Sequence, residues 1–173
     1  MSVMWAETPE GRAALPTRGR ASARRASPPE SMMANSSSDA DAVSAALREI
    51  RDSIDRFHVS GLLVASRDGL VLSSDTQDVE IGSVAAMAAA AVGLATQFTA
   101  QANVGEPQAA MFEGSRGHIC VFPVEVTILL VVFGRPGTTM GMFNVAARQA
   151  LAELQQAIAR QRTRQVQDAP AGE

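Results

Sequence analysis

From Ile81 to Gly105 the chain runs 25 residues without a charged side chain, and nine of them are alanine. A stretch with no polar face must be covered on more than one side. Wound as a helix, it sets Val84, Met87, Ala91, Leu94 and Phe98 at three- and four-residue steps, a stripe of larger apolar side chains expected to cover the chain's own core. A second face carries Ala86, Ala89, Ala90, Gly93 and Ala100, with Gln97 among them. That face is too small-grained to fill a core gap and too apolar to be an ordinary solvated surface. It is expected to receive a closely approaching helix, so the first functional indication is a contact surface.

A membrane span is the competing reading, because the stretch exceeds the ~20 apolar residues a bilayer requires. Composition argues against it. The strongly apolar Ile81, Val84, Val92, Leu94, Phe98 and Val104 are diluted by Thr96, Gln97, Thr99, Gln101 and Asn103. Asp78, Glu80 and Glu106 stand at the flanks, where arginine and aromatic anchors belong. The expectation is a helix without a membrane span.

A chain of 173 residues has room for one domain plus tails. With 46% hydrophobic residues, 4% aromatics and a formal charge of -3, it lacks the basic surface that nucleic acid requires. Cys120 is the only cysteine, so no intrachain disulfide forms; the reducing cytoplasm is the expected compartment and a buried strand the expected place. All 15 basic side chains are arginine. Without lysine there is no ordinary phosphate-binding loop, and Gly134-Arg135-Pro136-Gly137-Thr138-Thr139 reads as a turn leading into a helix. Lysine Schiff-base chemistry is excluded for the same reason.

The chain divides near residue 38. Before it, Pro9, Pro16, Pro28 and Pro29 are mixed with serine, glycine and five arginines, with no apolar period. Residues 1–38 are expected to be a disordered extension. They do not read as a secretory signal, since no apolar run follows the basic residues and Pro28-Pro29 interrupts them. Translation starts at Met1, Met32 or Met33, a choice the residues leave open.

Regular structure is expected over 39–163. Ser38 or Asp39 caps a helix whose stripe is Val43, Leu47, Ile50, Ile54 and Phe57. Strands follow at Val59–Ser66 and Leu70–Ser74, separated by Arg67-Asp68-Gly69, where Asp-Gly supplies the positive backbone angles of a tight hairpin. After the alanine-rich helix, Gln108–Phe112, His118–Val124 and Val126–Phe133 read as three more strands. Thr138 or Thr139 opens a last helix on Phe143, Ala147, Leu151, Leu154 and Ile158. Its polar end is expected to fray from Arg160, leaving 164–173 as a flexible tail.

The order helix, two strands, helix, three strands, helix requires a five-stranded antiparallel sheet covered on both faces, a three-layer α/β/α domain. The run Val59-Ser60-Gly61-Leu62-Leu63-Val64-Ala65-Ser66-Arg67-Asp68-Gly69-Leu70-Val71-Leu72 carries a resemblance. With Ala85-Ala86-Met87 in a small-residue helix and Met140-Gly141 opening the last one, it resembles the roadblock/dynein light chain superfamily over roughly residues 40–160. The nearest type is the bacterial stand-alone roadblock protein. The resemblance implies a profilin-like α/β (α+β) fold and a twofold homodimer in which the middle helix and third strand join two sheets into one. It also implies a small Ras-like GTPase docked near the paired middle helices, with a sensor-kinase complex as a further partner. On this sequence the implied homodimer residues are Ala86, Ala89, Ala90, Gly93, Gln97, Ala109 and Met111, and the GTPase-facing ones are Thr96, Gln97 and Ala100.

Catalytic constellations are poor. His58 and His118 are the only histidines, and neither has a cysteine, histidine or paired carboxylate at metal-ligand spacing. Ser115 and His118 share a turn without a third orienting group. Asp75, Asp78 and Glu80 are placed to stabilise the start of the middle helix. Arg67 and Arg116 sit on exposed turns, where solvation explains them. The residues therefore indicate no catalytic site, metal or cofactor. Two readings stand: a cytoplasmic homodimer regulating a small GTPase, and a small-molecule sensory module, because sheets wrapped on both sides also hold ligands.

Overall fold

The computed structural model describes residues 41–50, 53–54 and 57–168. Helix α1 covers 41–50, and its capping positions Ser38 and Asp39, with the whole N-terminal extension, lie outside the described residues. The strands are β1 (Val59–Ser66), β2 (Val71–Asp75), β3 (Ala110–Gly114), β4 (Gly117–Pro123) and β5 (Ile128–Gly134); helix α2 is Ile81–Gln101 and α3 is Met140–Asp168. All pairings are antiparallel in the order β2-β1-β5-β4-β3, which makes β2 and β3 the two edges.

Alternation along the inner strands builds two cores, because successive side chains point to opposite faces. Leu62 and Val64, Cys120 and Phe122, and Leu130 and Val132 meet α1 through Val43, Leu47 and Ile50, and α3 through Phe143, Ala147, Leu154 and Ile158. Leu63 and Ala65, Val121, Leu129, Val131 and Phe133 meet α2 through Ala85, Ala88 and Val92.

The strand ends follow local chemistry. Gly69, at φ 86°, turns the β1–β2 hairpin, and the amide of Ser66 donates to the carbonyl of Leu70 at 2.8 Å. Val124 and Glu125 both donate to the carbonyl of Ile128, so Val126 is held out in the turn and β5 begins two residues later than the apolar run predicts. β3 lies two residues beyond its predicted position, because pairing continues to Gly114 opposite Gly117 and only Ser115 and Arg116 are left for the loop. The carboxylate of Glu80 caps α2 by accepting from the amide of Ser83. At α3 the cap is Thr139, whose hydroxyl accepts from Met142 and whose carbonyl accepts from Phe143.

Three expectations are overturned. Phe57 is 87% exposed rather than part of the α1 stripe: it lies in a turn after the helix, while Val43, Leu47, Ile50 and Ile54 are buried as expected. The last helix does not fray at Arg160; it continues to Asp168, through the first five residues assigned to the flexible tail. Arg160 pairs with Glu49 at 2.9 Å, and Arg162 forms a fork on both oxygens of Glu125, also at 2.9 Å. These partners lie far off in sequence, so no local pattern announces them.

The third correction concerns α2. Met87, Leu94 and Phe98 do not cover the core; they are 61%, 54% and 66% exposed, with Val84 and Ala91 only half-buried. The sheet explains the reversal. Leu63, Leu129, Val131 and Phe133 already fill this face with large side chains, so the helix approaches on its smallest ones, Ala85 and Ala88.

Burial of Cys120 raises its thiol to about 12, against the pull of the Arg148 cation. An unfolded thiol ionises near ~8.5. The native state therefore holds its proton where the unfolded state has lost it, so this group's contribution falls as pH rises from ~8.5 towards 12. Ellman's reagent at neutral pH is expected to leave Cys120 unlabelled in the folded chain and to label it fully in guanidinium; rapid labelling without denaturant would contradict this burial.

Candidate functional site

Strand β3 has β4 on one side and no described strand on the other, so its outer amides and carbonyls form an open edge. Helix α2 crosses the same region without fully covering it. Between them lies an apolar groove of about 380 Å³, bounded by Val84, Met87, Ala91 and Leu94 of α2 and by Phe112 and Ile119 of the strands. Phe112 is 51% exposed on β3, and Phe98 continues the stripe one turn beyond Leu94. Several large apolar side chains thus meet beside an unpaired strand edge. Such a continuous exposed patch marks an interaction surface.

The faces of α2 can be placed by rotation of ~100° per residue. With Ala85, Ala88 and Val92 turned to the sheet, the Met87–Leu94–Phe98 stripe lies on one flank and the Gly93–Gln97 face on the other. Only the first flank borders the groove, where Ala90 joins it. Of the residues singled out from the sequence, Ala86, Ala90, Gly93, Gln97 and Ala100 are exposed, while Ala89 is half-buried and packs on the α2 core. Ala109 is half-buried against the opposite core, and Met111 is exposed on β3. Thr96 is half-buried, its hydroxyl donating to the carbonyl of Val92 at 2.9 Å. The chain's own β1–β2 turn approaches Ala86 closely: a Cβ added to Gly69 would stand 3.0 Å from the Ala86 Cα.

Sequence reasoning placed Met87, Leu94 and Phe98 in the core rather than on the surface, and it did not single out Phe112 and Ile119. Periodicity revealed the helical stripe but not which way it turns. By length and composition α2 could also cross a bilayer, yet Ala85, Ala88 and Val92 are built into the sheet.

A second, polar cleft of about 1150 Å³ opens at the end of the sheet among the β2–α2 connection, the β3–β4 hairpin and the β5–α3 connection. His118 borders it, stacked on Phe143 with ring centroids 5.4 Å apart. Ser115 lies exposed in the hairpin loop, while His118 packs towards α3. Among the described residues no three of His, Cys, Asp and Glu gather closely enough to hold a metal ion.

An antiparallel five-stranded sheet, with paired helices on one face and a single helix beside an open edge strand on the other, is the architecture of the roadblock class. Residues 54–133 match the Roadblock/LC7 domain, and the chain carries that domain. MglB from Myxococcus xanthus superposes with a TM-score of 0.53 at 16% identity, over 72% of this chain and 90% of that one. The gliding protein MglB from Thermus thermophilus gives 0.53 at 20% identity, over 70% and 92%. A structure of MglB with a tetrameric arrangement gives 0.57 at 16%, over 71% and 92%. At these identities the likeness is one of fold. No curated protein matches the chain by sequence.

Proposed function

We propose that this chain is a regulatory protein without chemistry of its own, a homodimer that binds a small Ras-like GTPase and biases its nucleotide cycle. The observation that carries the reading is the exposed apolar flank of α2 beside the open edge of β3. Twofold pairing at that edge satisfies the outer β3 backbone and buries Met87, Leu94, Phe98 and Phe112 against their copies. It moves the pairing surface from the small-residue face to the larger stripe, with Ala90 and Met111 retained from the residues that the sequence indicated. The other flank of α2 then stays open, so Gln97 and Ala100, with Thr96 at its margin, are offered to the GTPase. Larger assemblies fit this plan, as the tetrameric arrangement of an MglB structure illustrates, and a sensor-kinase complex is the further partner in keeping with the resemblance.

Titration calorimetry against a neighbouring Ras-like GTPase tests the reading. Affinities for the GTP and GDP forms are expected to differ about tenfold, or ~1.4 kcal/mol, because only unequal affinity couples a binder to a switch. Gln97→Arg is expected to weaken binding while leaving the mass of the assembly unchanged, and the chain alone is expected to hydrolyse no GTP. Equal affinities would leave a passive scaffold; absence of binding would refute the GTPase reading.

One observation supports a second reading. The α2–β3 groove is of the size that takes small molecules, so a hydrophobic ligand could occupy it. Few polar groups are present there to orient such a ligand, and pairing of two copies would bury the same walls. A hydrophobic dye displaced from the groove on dimerisation favours the dimer; a dye bound equally to both forms favours the sensory module.

A further inference from the structure

The two edges of the sheet differ. Strand β3 pairs with β4 in unbroken register, from Ala110 opposite Val121 to Gly114 opposite Gly117, and it carries Met111 and Phe112 exposed. Strand β2 is irregular. Its register on β1 slips where Val64 faces Ser73 and Ala65 faces Val71, so Leu72 is an extra residue with no partner across the ladder. A bulge of this kind bends its strand and increases the local twist, which disturbs the straight row of amides and carbonyls that a further strand needs. Helix α1 holds the bulge in place. The Leu72 side chain is half-buried against the core that α1 covers, and the Ser44 hydroxyl donates to the Leu72 carbonyl at 3.4 Å. A backbone acceptor in the middle of β2 is thereby committed to a helix. Ser73, Ser74 and Asp75 complete the strand with polar side chains, where β3 has Ala110, Met111 and Phe112.

We infer that α1 and the Leu72 bulge close the β2 edge, leaving β3 as the one edge through which this chain joins another strand. The consequence is a limit on assembly. A subunit that pairs at both edges links to two neighbours and grows into an open chain of sheets, whereas a subunit that pairs at one edge through a twofold axis stops at two copies. Twofold pairing at β3 is the dimer reading above. Closure of β2 is a property of the single chain and stands apart from it. Larger assemblies of such dimers then need a surface other than strand addition at β2.

Two substitutions separate the closure from the stickiness of the strand. Ser74→Val makes an exposed position of β2 apolar and more strand-forming while the closure stays intact. Ser44→Ala frees the Leu72 carbonyl at a helical position where alanine is favourable. In sedimentation over a ~100-fold range of concentration, the wild type and Ser74→Val are expected to keep the mass of the dimer, and the chain carrying both changes to grow to about twice that mass or more. Hydrogen exchange is expected to locate the new protection at Val71–Asp75. Equal growth of Ser74→Val alone, or a double variant that is folded by circular dichroism and keeps the wild-type mass, overturns the inference. So do wild-type β2 amides that become protected as concentration rises, a readout that needs no variant to fold. A monomeric wild type fails the dimer reading, and the same comparison, now of monomer against pair, still decides the closure.

Discussion

Leu94→Arg is expected to convert the proposed dimer into a folded monomer, weakening self-association by at least ~100-fold. Leu94 is 54% exposed in the single chain, so an arginine there meets water and the fold is unharmed. In the dimer the same guanidinium would be pressed between two apolar helices, because the whole run from Ile81 to Gly105 offers no carboxylate to receive it. A desolvated, unpaired charge costs several kcal/mol in order of magnitude, which is why the effect should be near-complete. Gly93→Arg, one residue away on the opposite flank, is expected to leave the mass unchanged. Light scattering on both variants separates the two faces of α2, and a dimeric Leu94→Arg with a monomeric Gly93→Arg would restore the small-residue face as the pairing surface.

Two phenylalanines on opposite faces of the sheet should behave oppositely when truncated. Phe143 of α3 is fully buried between His118 and the core, and Phe143→Ala is expected to cost ~3–5 kcal/mol, lowering the melting temperature by about 10 °C or more. Phe112 is half-exposed on β3, and Phe112→Ala is expected to change folding stability by less than ~1 kcal/mol while weakening the dimer by ~1–3 kcal/mol. Because dimerisation itself stabilises by mass action, the melting comparison is made in the monomeric Leu94→Arg background. Equal melting losses for the two alanine variants would mean that Phe112 belongs to the core.

Where a boundary is marked by a strong turn signal, the sequence was sufficient. Val59–Ser66 is recognised to the residue because an apolar run meets Arg67-Asp68-Gly69, and Gly69 adopts the positive φ that this turn requires. Of the two caps that the sequence offers α3, Thr138 and Thr139, it is Thr139 that caps the helix. Long-range effects were not legible. The continuation of α3 depends on Glu49 and Glu125, distant residues that hold Arg160 and Arg162. The orientation of α2 depends on how much volume the sheet contributes. A helix apolar on two sides is ambiguous by periodicity, and Leu63, Leu129 and Val131 settle its orientation by leaving room for Ala85, Ala88 and Val92 rather than for the larger stripe. The sequence therefore pointed to α2 and the strand after it as a surface, but assigned the large apolar stripe to the core, where the structure leaves Met87, Leu94 and Phe98 exposed. Phe112 and Ile119 could not be added until the register of β3 on β4 placed them beside that stripe.

A second copy of the chain is expected to cover the edge of β3 and the large apolar flank of α2 together. Hydrogen exchange read by mass spectrometry at high and low protein concentration tests this most directly, because an edge strand left in water exchanges its outer amides quickly. Peptides spanning Ala110–Gly114 and Val84–Phe98 are expected to become protected as concentration rises in the wild type and to stay unprotected in Leu94→Arg, while β2, the opposite edge, exchanges alike throughout. Protection confined to β2, or β3 amides that exchange at the same rate at every concentration in a chain that is nonetheless dimeric, would contradict it.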